Sequence, residues 1–261
     1  MKLPIKLLNP QTPMTPATNL PAGIGRHLPR RLTRSFPALA LGSGLAAQAT
    51  AAVISVGATI GALVPDADPS GRAVTVNVSD AGWRLADVNV TLSFSGNPAA
   101  FGGWNGDLYA WLSHDGALAV LLNRVGRSSA DPLGSGYDDG GLSGVVFDDQ
   151  AAADVHFYQT TLGFAPGVLT GSWQPDARIT DPSQPFDANP AARAARLDVF
   201  DSLNPQGEWA LFVADLEGGG EFVLDSWRLD LTVVPVPEPI GYGLAVAALL
   251  AGFAACRLRQ R

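Results

Sequence analysis

Two runs near the C-terminal end decide the fold: Gly207-Glu-Trp-Ala-Leu-Phe-Val-Ala-Asp215 and Phe222-Val-Leu-Asp-Ser-Trp-Arg-Leu-Asp-Leu-Thr-Val233, with the turn signal Gly218-Gly-Gly220 between them. Trp209, Leu211 and Val213 recur at every second position, as do Trp227, Leu229, Leu231 and Val233. Period-two alternation is the mark of a strand with one face buried and one wet. The two runs read as a hairpin with Trp209 and Trp227 as core aromatics.

The same pattern extends backwards over 73–78, 87–94, 107–112, 117–122 and 154–159, punctuated by Asp115-Gly116 and Asp139-Gly-Gly141. The segment Pro190–Arg196 is helix-like but short. Strand runs separated by turn signals predict an all-β fold, a jelly-roll-like β-sandwich. Two irregular segments, about 95–106 and 123–153, are long for a compact domain, and such loops are usually functional or ligand-stabilised.

Composition agrees. The chain has 261 residues, 47% hydrophobic and 16% charged, with 29 glycines and 20 prolines, unlike the Ala/Glu/Lys/Leu-rich make-up of helical bundles. Charge is uneven. Residues 1–49 hold basic residues only, whereas 50–234 hold eight arginines against 23 acids. A segment that acidic is not expected to bind nucleic acid. It could bind cations. Cys256 is the only cysteine, so neither an intrachain disulfide nor a cysteine-based zinc site is available.

The two ends read as addresses. Arg26, Arg30, Arg31 and Arg34 precede the apolar run 36–47, and small residues follow at 48–52. This order is that of a secretory signal peptide, with Ala47-Gln-Ala49 and Ala49-Thr-Ala51 as candidate cleavage sites and Met1 or Met14 as the start. At the other end, Pro237-Glu238-Pro239 leads into an apolar run of about 17 residues, the lower limit for spanning a bilayer. Arg257, Arg259 and Arg261 close the chain and should stay cytoplasmic. The division is therefore leader and signal peptide 1–51, β-domain 52–234, and sorting tail with a single transmembrane helix 235–261.

The tail, Pro-Glu-Pro then a helix then terminal arginines, resembles the PEP-CTERM sorting signal of Gram-negative bacteria. That resemblance implies an exported protein held in the inner membrane until an exosortase-type enzyme processes it near Pro237-Glu238-Pro239. It also implies a final place at the cell surface or outside, in a host that makes exopolysaccharide. Two pieces of the middle resemble the P-domain (P/Homo B), the β-sandwich that follows the catalytic domain in proprotein convertases and subtilisin-like proteases. One is Gly106-Asp107-Leu108 with Leu112-Ser-His-Asp-Gly116, where His114 and Ala117 replace the family's proline and threonine. The other is Gly207-x-Trp209-x-Leu211-x-Val213-x-Asp215 with Leu224-x-x-Trp227-x-Leu229. The resemblance covers about 72–233 and implies a fold rather than a chemistry.

Catalytic residues are not expected. His27 lies in the leader, His114 beside a turn and His156 in a run read as a strand, and none accompanies a Gly-x-Ser-x-Gly elbow. A paired-carboxylate glycosidase stays open, because carboxylate separation is invisible in sequence. The acids suggest calcium instead. Asp138, Asp139, Asp148 and Asp149 bracket a glycine-rich stretch near Asp107, and calcium takes six to eight oxygens in irregular geometry. The P-domain resemblance also implies structural calcium. Phe101, Trp104, Tyr109 or Trp111 could stack on sugars, although alternation favours a core position for Trp111. Three functions fit: a non-catalytic interaction or structural module associated with exopolysaccharide, an accessory module of a subtilisin-like serine protease, or a carbohydrate-active enzyme.

Mass spectrometry of the exported protein should find an N-terminus between Ala47 and Ala52 and a C-terminus near Pro237–Pro239. An exported form that begins at Met1 or Met14, or a surface-released form that keeps Arg257–Arg261, would contradict the two-address reading.

Overall fold

The computed structural model describes residues 50–236 and 239–259. The signal-peptide run and Pro237, Glu238 and Arg261 of the sorting motif lie outside the described residues.

Among the described residues, nine strands form two sheets. They are β1 (Ala52–Val64), β2 (Arg72–Val78), β3 (Trp83–Gly96), β4 (Leu108–His114), β5 (Ala117–Asn123), β6 (Gly141–Phe147), β7 (Ser172–Trp173), β8 (Gly207–Asp215) and β9 (Phe222–Pro235). One sheet has the order β1-β9-β3-β6-β7 and the other β2-β8-β4-β5. Among the described residues, helix is confined to short 3-10 turns, α1 (Tyr158–Leu162) and α2 (Pro239–Leu258). The fold is all-β, as expected.

The hairpin expected from the deciding stretch is not one. Strand β8 pairs with β2 and β4, and β9 with β1 and β3, so the two lie in different sheets. The connecting segment is held from outside: Leu216 N–H donates to the Asp107 carbonyl, and Glu221 N–H to the Gly102 carbonyl. Trp209 and Trp227 therefore enter the core from opposite sheets, 0% and 2% exposed. Trp209 donates its indole N–H to the Pro205 carbonyl at 3.0 Å, and its ring lies parallel to His114 at 4.1 Å. Core aromatics, hence, but of a sandwich centre.

A true hairpin joins β4 and β5. His114 faces Ala117 across Asp115 and Gly116, whose φ values of 46° and 80° suit a two-residue type I′ turn.

The run 154–159 is not a strand. Asp154 accepts a hydrogen bond from His156 N–H and caps a 3-10 turn over Val155–Phe157, which leads into α1. Local capping overrides the alternation. The helix-like run at 190–196 supplies only a 3-10 turn, Pro190–Ala192. Conversely, the irregular segment 123–153 contains β6.

Among the described residues, every member of the core cluster, and every hydrophobic residue packed against it, lies between positions 52 and 233. The apolar run of the tail forms α2, 20 residues long. Among the described residues, which leave out the side chains of 239–245, 247 and 254, no helix is long and apolar enough to cross a membrane.

Replacing Trp209 or Trp227 with alanine should destabilise the 50–236 domain by about 3–5 kcal/mol, because a large buried aromatic leaves a cavity. Denaturant melts check this. Wild-type-like stability in either variant would contradict the core assignment.

Candidate functional site

The most unusual chemistry lies at one end of the sandwich, where β4 begins and β8 ends. Leu108 faces Asp215 across the β4–β8 ladder. Alternation along β8 carries Asp215 inward after Trp209, Leu211 and Val213, so a carboxylate occupies a core-facing position. Asp107, just before β4, is equally enclosed: it is 2% exposed and Asp215 1%. Gly106 is required for the approach, since a Cβ there would lie 2.2 Å from the Ser135 carbonyl oxygen.

Two arginines reach this end. Arg124 Nη2 lies 3.6 Å from Asp107 Oδ1 and bonds the Glu217 carboxylate, while its Nε donates to the Gly106 carbonyl at 2.7 Å. Arg127 Nη2 is 3.4 Å from the same Glu217 oxygen and otherwise serves the Gly134 and Pro182 carbonyls. Asp107 Oδ1 and both carboxylate oxygens of Asp215 are buried without a hydrogen-bond partner. Burial pushes Asp107 up to about 6 despite the pull of Arg124. Burial, reinforced by Asp107 and Asp66, pushes Asp215 up to about 7.

The other aspartates expected at a calcium site are scattered over different tasks. Asp139 accepts from Tyr158 Oη at 2.7 Å, Gln159 Nε2 at 2.7 Å and Gly167 N–H at 2.6 Å, so its oxygens tie loops together. Asp138 is exposed. Asp148 closes a local turn with Gln150 N–H, and Asp149 accepts from Asp198 N–H. Asp107, Asp138, Asp139, Asp148 and Asp149 therefore do not come together. Among the described residues no three His, Cys, Asp or Glu side chains are grouped so that they could hold a metal ion. Of the five, Asp107 alone stands at the strand-end pair. Asp215, Arg124 and Glu217 were missed. The legible signal for Asp215 was a charged residue continuing an inward-facing alternation.

Both described histidines are structural hinges between segments. His156, 0% exposed, places Nδ1 2.6 Å from Asp176 Oδ2 and Nε2 2.8 Å from the Arg127 carbonyl. Arg178 joins the same network through Asp176 and Asp154. His114 binds the Glu208 and Asn204 carbonyls through its two ring nitrogens. In both rings the two nitrogens tie separate segments together.

Trp111, expected in the core, lies on the outer face and stacks on Phe212 at 5.0 Å, because Leu108, Ala110 and Leu112 take the inward positions of β4. Phe101 is 95% exposed. In the tail, Arg257 and Arg259 are exposed.

No family model and no curated protein matches the chain. Among solved structures, a chain in the complex of the Aeromonas sobria serine protease with its chaperone is similar at 16% identity and a TM-score of 0.39. The similarity covers 72% of this chain and 28% of that one. The Aeromonas sobria serine protease alone is similar at 15% identity and a TM-score of 0.37, over 70% of this chain and 27% of that one. This chain thus spans less than a third of the solved chains it resembles.

The buried His156–Asp176–Arg178 network gives a test on stability. Burial alone would raise the Asp176 carboxyl, but the His156 ring and the Arg178 guanidinium outweigh it and hold it below the usual carboxylate range. Its folded value is below the unfolded value of about 4, so its contribution is full above that pH and is lost as pH falls through the folded value. Asp176→Asn should cost about 3–5 kcal/mol at neutral pH, because the Arg178 guanidinium loses a fully buried partner. It should also flatten the loss of stability on acidification. A neutral effect, or an unchanged acid profile, would contradict this role.

Proposed function

We propose that the chain is an exported β-sandwich of P-domain type that acts as an interaction module at the cell surface, in or near exopolysaccharide. One observation carries the reading. The P-domain-like pattern falls on the load-carrying strands: Gly106-Asp107-Leu108 leads into β4, Trp209 to Asp215 lie along β8, and Leu224, Trp227 and Leu229 are buried on β9, apart from a half-exposed Asp225-Ser226 step. Strands β1 to β4 alternate between the two sheets, an order that supports a jelly roll. Strand β1 begins at Ala52, so cleavage after Ala49 or Ala51 leaves it whole. The tail 235–261 serves, on this reading, as an exosortase-processed sorting signal whose helix holds the protein in the inner membrane until cleavage.

A second reading, an accessory module of a subtilisin-like protease, is favoured by the same pattern, because the family's domain follows such a catalytic domain. The glycosidase reading is less well supported. Paired carboxylates must be open to a sugar, and Asp107 and Asp215, the closest candidates, are 2% and 1% exposed.

Affinity capture with residues 50–236 from the surface fraction of the producing cells, run beside a glycan array, tests the proposal. Retention of the cells' own polysaccharide is expected. Recovery of a subtilisin-like protease without glycan would favour the second reading. Turnover of a glycan, lost on neutralising one carboxylate, would overturn both.

A further inference from the structure

The two flanks of the sandwich are finished differently. On one flank the segment after β7 takes up the outer edge of β5: Val120 N–H donates to the Ala195 carbonyl, Ala177 N–H to the Val120 carbonyl and Asp176 N–H to the Leu121 carbonyl. The other sheet ends there on β7, which is two residues long. Covered or very short edges keep a sheet from further pairing. The opposite flank is bare. There β1 ends one sheet, β2 ends the other, and the two strands pack together. Among the described residues no main-chain hydrogen bond reaches the outer edge of either strand, and Arg72 donates its Nε to the Leu63 carbonyl at 2.7 Å. The side chains that the two strands turn inward, Ile54, Val56, Ile60, Val74 and Val76, are only partly buried, whereas Leu229 on β9 and Leu211 on β8 are 0% exposed.

The bare flank also lacks charge. Residues 52–64 and 73–78 contain no Asp, Glu, Lys or Arg, in a domain with eight arginines and 23 acids. Exposed edges are normally protected by charge, proline or a bulge. Here Arg72 stands at the start of β2, and an irregularity between Thr59 and Ala62, with Gly61 at φ 59°, interrupts β1. Residues 52–59 are left open. An extended strand of another protein would satisfy the edge of β1, but would leave β2 and the seam between the sheets in water. A partner that covers both must bring two uncharged strand edges at the spacing of this sandwich. A second copy brings that pair, and a strand laid antiparallel on itself across a two-fold axis is self-complementary. We propose that the domain forms a two-fold dimer in which β1 pairs antiparallel with β1 of a second copy and the two β2 strands close over the seam. Opposed side chains must share a sheet face, so the axis passes through a residue, Ser55 or Val56, and not between two. Pairing removes the half-buried apolar side chains of both strands from water, which drives association. The inference is independent of which partner the domain binds. Two domains so joined offer two copies of any binding face to one polymer.

The test uses the protein purified whole from the producing cells. Light scattering during size exclusion should give twice the chain mass at micromolar concentration. Hydrogen exchange should find protection at the β1 amides that do not bond to β9, and dilution should release it. Ile54→Lys and Val76→Lys, on separate strands, should each raise the dissociation constant by about a hundredfold or more, because the ammonium groups would be enclosed in the seam without partners. Ser143→Lys, at an exposed position of β6, should leave the dimer unchanged. Both seam positions are partly exposed in the single chain, so the variants should fold, which near-UV dichroism checks. If either fails to fold, the exchange measured on wild type still decides. A monomeric wild type would overturn the proposal. So would a dimer whose outer β1 amides exchange freely, a dimer that survives Ile54→Lys and Val76→Lys in folded protein, or a chain isolated with a strand of a different protein on β1.

Discussion

The structure depends on one crossing. Strands β8 and β9 each lie between two partners, β8 between β2 and β4 and β9 between β1 and β3, and the short segment 216–221 carries the chain from one sheet to the other. Among the described residues seven ladders build the two sheets, and four of them involve β8 or β9 directly. The inward faces of the two strands supply Trp209, Leu211, Val213, Phe222, Leu224, Trp227, Leu229 and Leu231, all within 2% of full burial. Burial of that apolar surface is the main favourable term in folding, and it requires the two strands to face each other across the sandwich instead of pairing edge to edge.

The alternation of these runs was legible because the inward side chains are large and the outward ones largely polar. Which strand pairs with which was not legible. A glycine turn between two strands is as compatible with a hairpin as with a crossing, and the deciding bonds go to Gly102 and Asp107, more than a hundred residues earlier. Strand β1 escaped notice because its outward positions, Val53, Gly57, Gly61 and Leu63 among them, are as apolar or small as its inward ones, so the pattern has no contrast. The error at 154–159 has a different cause. Asp154 offers its side chain to a nearby N–H, and that local bond competes with the extended state.

Sites were less legible than strands. Clustered aspartates at 138–139 and 148–149 suggested calcium, yet a carboxylate in a loop can be engaged by backbone N–H groups and side-chain donors, as Asp139 and Asp148 are. Only the fold distinguishes a satisfied acid from an orphaned one. The arginines tell a related story. Arg124, Arg127 and Arg178 are buried among acids, so they cannot neutralise the surface, and the exterior of the domain is dominated by its acids. On the reading proposed above, a surface of that sign repels acidic polymers and favours a neutral glycan, a basic partner surface or an acidic one bridged by divalent ions.

The crossing can be tested directly with paired cysteines in the 50–236 domain, which lacks Cys256. In the sandwich Val223 faces Ser95 across the β3–β9 ladder. In a β8–β9 hairpin closed by the glycine turn, Val223 would instead face Ala214. Ser95→Cys combined with Val223→Cys should therefore form a disulfide under mild oxidation, and Ala214→Cys combined with Val223→Cys should not. Cross-linking of the 214–223 pair with the 95–223 pair remaining reduced would contradict the two-sheet arrangement on which the account rests.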